Sequence, residues 1–256
     1  MKKPLLQIKN LSVVFAGGVQ AVDDVSFDVG RGTFTALVGE SGSGKSVTAL
    51  SITRLIRPEH VSGQILLGSL NLMTLSGEEI RKIRGGKIAY IFQDPGSSLN
   101  PVLTIGDQLI ETRRAHFKEK EVEIRERAFR MLSSVRLCEA ERVFRSYPHE
   151  LSGGMRQRAM IAMALMTEPE FLIADEATTA LDPVTQEEIL QLLASFKKEK
   201  NLSILFITHD LVLAKRYADE IVVMKKGKIE PENGEYAKKL FRAGVLSGKP
   251  KSLIEV

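Results

Sequence analysis

Apolar and polar positions alternate from Leu5 to Asp28, first in LQIKNLSVVF and then in VDDVSFDV, with AGG between them. A period of two around a glycine turn predicts a pair of antiparallel strands, a small β layer at the start of the chain. The pattern then changes to short, nearly continuous apolar runs. TFTALVG, KIAYIF, FLIADE and SILFITHD each have the length of one buried strand, and the last two end in polar residues. Between these runs the spacing turns helical. It does so in SVTALSITRLI, from Thr104 to Val135, where Ile124, Ala128, Met131, Leu132 and Val135 share one face, and in PVTQEEILQLLASFKKEK. Strands alternating with helices predict an α/β fold with a mostly parallel sheet, a helical insert, and a ligand at the carboxyl ends of the strands. Met155, Met160, Met163 and Met166 recur after LSGG and read as core packing. From Gly227 onward the chain is polar and less regular.

Composition narrows the class. The 256 residues suffice for one large domain or two small ones, and 43% hydrophobic content supplies a core. The net charge of +4 is a mild excess spread along the chain; with no basic block interleaved with aromatics, it argues against nucleic acid. It leaves a weak lean toward anionic membrane surfaces. The single cysteine, Cys138, excludes an internal disulfide and a cysteine-ligated cluster or zinc site, and is expected to be a half-buried small hydrophobe. The basic N-terminus lacks a sustained apolar run or cleavage site, and nowhere do ~18 apolar residues follow one another. The expectation is a cytosolic, soluble chain that does not itself span a membrane.

Two stretches look built to hold anions. GESGSGKS, residues 39 to 46, fits G-x-x-x-x-G-K-[ST] and stands between an expected strand and an expected helix, the context that pattern requires. Its glycines let the backbone curl around phosphate oxygens, Lys45 reaches the β and γ phosphates, and Ser46 offers a hydroxyl to magnesium. Gly39, Ser41, Gly42, Ser43, Gly44, Lys45, Ser46 and Val47 form the candidate nucleotide-binding set. LSGGMRQR, residues 151 to 158, places Ser152, Gly153 and Gly154 where a helix begins, a second cradle of free amides. At the end of FLIADE, Asp175 is placed to hold a metal through water, and Glu176 to face the γ phosphate as a general base. His209 closes FITHD and Gln93 follows YIF, both at strand ends. Taken singly, a lone histidine and a loop glutamine are more often structural.

In the order GESGSGKS, FQDP, LSGGMRQR, FLIADE, ALD and THD, the chain resembles the nucleotide-binding subunit of ATP-binding-cassette (ABC) transporters across residues 5 to 230. The resemblance implies a P-loop NTPase core, a RecA-like and mostly parallel sheet, with the N-terminal β layer and an inserted helical subdomain. It implies one nucleotide-binding domain over 1–256, with the β layer and core in 1–93 and 168–230, the helical signature subdomain in 94–167 and a short tail in 231–256. ATP and Mg2+ are the implied cofactors. Phe15 stands where the family keeps an aromatic ring to stack on adenine. Glu176, His209 and Gln93 carry hydrolysis, and Ser46, Gln93 and Asp175 serve the metal. Ser152, Gly153 and Gly154 of one subunit cap the γ phosphate held by another, with Asp182 linking the two sites. The implied partners are transmembrane permease subunits, a second ATPase subunit that is a copy or a paralogue, and, indirectly, an extracytoplasmic substrate-binding protein, with no nucleic acid. The implied place is the cytoplasmic face of the inner membrane, bound peripherally.

FQDPGSSLNPVLTIGDQL and YPHELSGGMRQR look like the oligopeptide, dipeptide and nickel importer branch. Three departures follow. Ala177 replaces the proline usual after the catalytic glutamate, which alters loop stiffness rather than chemistry. A Pro-His-Pro-Tyr-Thr-like stretch and a cysteine-rich tail, common in peptide members, are both missing. The shorter nickel or metal-chelate members therefore stand first, and a trimmed peptide member second. A non-transport ATPase of the DNA-maintenance kind carries a long coiled coil between phosphate loop and signature, and the stretch from Gln93 to Leu151 is too short for one. A regulatory module without catalysis is opposed by Glu176 and His209 together.

Overall fold

The computed structural model describes residues 4–179, 181–231 and 234. Most of the tail expected after Gly227, and Ala180 of the ALD motif, lie outside the described residues. In chain order the elements are β1 (Leu6–Phe15), β2 (Val19–Val29), β3 (Phe34–Val38), α1 (Lys45–Ile52), β4 (His60–Leu67), β5 (Leu70–Asn71), α2 (Gly77–Ile83), β6 (Ile88–Ile91), α3 (Pro95–Ser98), α4 (Ile105–Arg114), α5 (Glu121–Ser134), α6 (Ala140–Arg145), α7 (Gly153–Leu165), β7 (Phe171–Asp175), α8 (Pro183–Lys200), β8 (Ser203–Thr208), α9 (Leu211–Tyr217), β9 (Glu220–Lys225) and β10 (Lys228–Glu230). They form two compact units, one of Met1–Ile80 with Ala194–Val256, the other of Arg81–Leu193.

The first unit contains the N-terminal β layer as the pattern required. β1 and β2 run antiparallel around the turn at residues 16 to 18, where Gly17 and Gly18 take φ of 81° and 77°. Those values lie in the left-handed region that a side chain resists. β4 pairs with the other edge of β1, and β5 with β4, giving the order β2-β1-β4-β5. Behind it, β3 lies between β8 and β9, parallel to both, and β10 returns antiparallel on β9. β3 and β8 are buried at every position, which is why their sequences read as unbroken apolar runs rather than alternation. Phe34 and Phe206 meet edge to face at 5.8 Å across this pair. Helix α1 is shorter than SVTALSITRLI promised. After Ile52 the chain leaves the helix, with Arg54 at φ 52° and the Leu55 amide donating to Leu50 O, so Leu55 ends 44% exposed.

The second unit pairs β6 parallel with β7 and carries the helices. The stretch from Thr104 to Val135 is two helices, because the chain turns between Ala115 and Lys120. There Arg113, 3% exposed, binds Glu119 and the Met166 carbonyl and stacks on Phe117. Thr104 and Asp107 close a capping box at the start of α4. On α5, Ile124, Ala128 and Leu132 form the buried face, Val135 follows them, and Met131 is half-buried at its edge. Met160 and Met166 are buried, whereas Met155 and Met163 are half-buried. Cys138 is exposed, contrary to the half-buried expectation, since it follows the end of α5 on the loop to α6. Among the described residues no helix is long and apolar enough to cross a membrane.

Candidate functional site

The phosphate loop is built between β3 and α1, in the first unit. Gly44 takes φ 104° and Gly42 φ 76°, left-handed values that a side chain resists, and the Ser43 amide between them donates to Glu40 O to close the turn. Gly39 has a steric reason: a Cβ there would come within 2.1 Å of Met224 O. At Gly44 it would come within 2.5 Å of Ala21 O. The Asp23 amide donates to Gly227 O, and the Gly227 amide to Ser43 O, so backbone bonds stitch the loop to the β layer and to the β9–β10 turn. Lys45 opens α1 and is 4% exposed. Its ammonium donates to Gly39 O at 2.9 Å, Glu40 O at 2.8 Å and Ser43 Oγ at 3.5 Å. A buried lysine held by the loop's own acceptors is a fixed positive charge inside an amide cradle, the chemistry of a polyphosphate site. Ser41 and Gly42 are exposed, Ser43 is buried, and Ser46 and Val47 in the first turn of α1 are half-buried.

Register explains where His209 falls. Val38 pairs with Thr208 across the parallel strands β3 and β8, so Gly39 and His209 leave the same end of the sheet as the next residues. His209 is exposed, and Asp210 after it caps α9 through Val212 N and Leu213 N. Phe15 ends β1 opposite Val19 and is half-buried.

In the second unit the same logic works at the end of β6 and β7. Ile91 pairs with Ala174, and two residues beyond each of them come Gln93 and Glu176. Gln93 Nε2 donates to Glu176 Oε2 at 2.9 Å. Glu176 stands at φ 47°, a conformation that costs roughly 1–2 kcal/mol for a residue with a side chain. Two donors to its carbonyl, the Thr179 amide and hydroxyl, hold the turn that requires it. Asp175, 7% exposed, accepts a hydrogen bond from the Tyr90 hydroxyl at 2.6 Å. Burial, and then the Asp175 charge and hydrogen bond, push the Tyr90 phenol far up, so it is a proton donor throughout. Tyr90 escaped the sequence reading, since only the pairing of β6 with β7 brings it to the acidic strand.

The signature stretch begins α7 as expected. Ser152 caps the helix, its hydroxyl accepting from the Met155 amide at 3.3 Å, and Ser152 and Gly153 are exposed. A Cβ on Gly153 would meet nothing, whereas one on Gly154 would lie 3.1 Å from Thr185 Cγ2. Thr185 also bonds Asp182, whose carboxylate caps α8 through the amides of Val184 and Thr185. The Thr185 hydroxyl and those amides hold the Asp182 carboxyl below its ordinary range. Asp182 and the signature are thus neighbours through Thr185. The unit also brings Gln93 to Glu176, and in the first unit the loop and His209 share one sheet end.

The family profile of ABC transporters matches residues 22–179. The chain is 49% identical over 233 residues to the peptidoglycan transport ATP-binding protein YejF of Agrobacterium fabrum, covering 89% of this chain and 43% of that one. It is 46% identical over 231 residues to the dipeptide transport ATP-binding protein DppD of Bacillus subtilis, covering 88% and 69%. It therefore spans less than half of the first relative and about two thirds of the second. A solved dimeric ATP-binding cassette in a post-hydrolysis state with ADP and Pi superposes with a TM-score of 0.79 at 32% identity, over 88% of this chain and 96% of that one. With the loop, acidic strand and signature in that family's order, the chain belongs to the ABC transporter family.

Proposed function

We propose that this chain powers a membrane importer of peptides. The two relatives named above carry peptidoglycan and dipeptide transport in their names, which puts the peptide reading ahead of the nickel or metal-chelate one. The observation that carries catalysis is the bond from Gln93 to Glu176, because it holds the carboxylate in one orientation beside the glutamine. In this reading the loop amides and Lys45 grip the β and γ phosphates, and Phe15 stacks on adenine. Glu176 takes the proton of the attacking water, Gln93 orients that water, and His209 contacts the γ phosphate. Ser46 and Asp175 offer hard oxygen donors of the kind Mg2+ selects, and Gln93 would serve the same ion. When bound, Mg2+ neutralises charge on the β and γ phosphates.

Ser152, Gly153 and Gly154 serve the nucleotide of a second subunit, a copy or a paralogue, and Asp182 joins the two sites. We assign residues 94–167 to the helical signature subdomain, and 1–93 with 168–230 to the β layer and core. The remaining partners are permease subunits, with a substrate-binding protein acting through them, and the place is the cytoplasmic face of the inner membrane. The test is uptake by vesicles carrying this chain with its permease. ATP-driven uptake of labelled peptide supports the reading, and uptake of a nickel chelate without peptide overturns it.

A further inference from the structure

Tyr90 on β6 pairs in register with Ile173 on β7, two residues ahead of Asp175. Residues in register on parallel neighbours face one side of a sheet, as do residues two apart along a strand, so Tyr90, Ile173 and Asp175 share a face. Two residues of strand advance by about 6.6 Å, and the long phenol bridges that gap to donate to Asp175 Oδ2 at 2.6 Å. A shorter polar side chain would fall short, and an apolar one would arrive without a donor. The ring is held from the side by Phe92, with centroids 4.5 Å apart. The carboxylate it meets is 7% exposed, where a charge-assisted hydrogen bond is strong and directional. Fixing one oxygen of a carboxylate fixes where the lone pairs of the other point.

We propose that Tyr90 is a positioning residue for Mg2+: its hydroxyl sets the orientation of Asp175, and so the ion's affinity in the nucleotide complex. This rests on the reading of Asp175 as the metal residue. Two effects compete when the hydroxyl is lost. The carboxylate becomes a stronger point charge, which favours a cation, but it also loses one of the contacts that direct it, and partners of this outer kind are worth about 10- to 100-fold in metal affinity. Orientation wins because a carboxylate that would hold the ion, directly or through a water, must present its lone pair in one direction.

The experiment is Mg2+ titration of the full-length chain bound to a fluorescent non-hydrolysable ATP analogue, with analogue binding in EDTA measured alongside. In Tyr90→Phe the half-saturating Mg2+ concentration should rise about tenfold, while affinity in EDTA stays as in the wild type. Should Tyr90→Phe fail to fold, Tyr90→Met removes the same donor with an adaptable side chain and is read in the same way. An unchanged Mg2+ requirement, or equal losses with and without Mg2+, overturns the proposal. Asp175→Asn separates the two readings. If it raises the Mg2+ requirement and Tyr90→Phe does not, only the positioning role falls; if it leaves the requirement unchanged, the metal assignment of Asp175 falls and the proposal with it.

Discussion

At the scale of single residues, chemistry and conformation make separate demands, and substitutions can separate them. Glu176→Gln keeps the shape, so the strained turn and ATP binding should survive, while turnover measured by phosphate release should fall ~10²-fold or more if the carboxylate is the base. Near-normal turnover would remove that role. The loop glycines give a graded pair. Gly39→Ala drives a methyl into Met224 O and should lower the melting temperature and abolish nucleotide binding together. Gly42→Ala meets no atom within 4 Å and suffers only its φ of 76°, so it should cost about 1–2 kcal/mol and leave a folded chain. Equal damage from both in thermal melts and nucleotide titration would contradict the steric account. The residue types of the loop, the acidic strand and the signature were legible because a phosphate site needs glycine, lysine and a short hydroxyl at fixed spacing. Tyr90 was not legible, since its partner lies 85 positions away and only strand register joins them.

Helices and strands were legible where burial is one-sided or complete, and obscure where a single local contact ends them. α8 matches its apolar spacing from end to end, with Ile189, Leu190, Leu193 and Phe196 buried. The break between α4 and α5 comes instead from Arg113, which turns the chain toward Glu119 and Phe117, a tertiary preference that periodicity does not carry. β4 was missed because its exposed first half reads as loop and only Ile65 and Leu67 face inward. Two predictions test this helical region. Gly106→Ala on α4 would place a methyl 2.4 Å from the Phe144 ring, so it should destabilise the fold by about 1–3 kcal/mol in urea unfolding, with no change if the helices α4 and α6 part freely. The other concerns pH. After α4, His116 packs on Gly85 and Gly86, and burial, with the Arg81 charge behind it, holds its imidazole below the ordinary 6.5. A lowered folded value means that the unfolded chain binds the proton more readily, so stability is full above about pH 6.5 and declines as pH falls below it. Urea midpoints should therefore drop between pH 7 and pH 5 less steeply in His116→Leu than in the wild type, and identical slopes would exclude this histidine as a cause.

For the whole molecule, the decisive feature is that one chain carries both a phosphate loop and a signature, one in each compact unit. Lys45 is buried among loop acceptors in the first, while Ser152 and Gly153 stand exposed at the start of a 13-residue helix in the second, with open space where a Gly153 side chain would be. A helix start of that length presents about half a positive charge and free amides, so an exposed one is attracted to a triphosphate held elsewhere. If the triphosphate is the one gripped by another subunit, ATP is the adhesive: each nucleotide would lie between Lys45 of one subunit and Gly153 and Gly154 of the other. Binding energy delivered only to the associated state shifts the equilibrium by mass action, so dimerisation should depend on nucleotide and be clearest where hydrolysis cannot dissolve it. The measurement is molecular mass in solution for Glu176→Gln, with and without ATP and Mg2+, alone and with a second ATPase subunit added. The variant should be monomeric without nucleotide and dimeric with it, or dimeric only once the relative is supplied. Adding Gly153→Asp, which puts a carboxylate into the open space facing the partner's phosphates, should return the complex to monomer without lowering each chain's own ATP affinity. A monomer under every condition for Glu176→Gln, or a dimer indifferent to Gly153→Asp, would mean that the signature does not grip a neighbour's nucleotide.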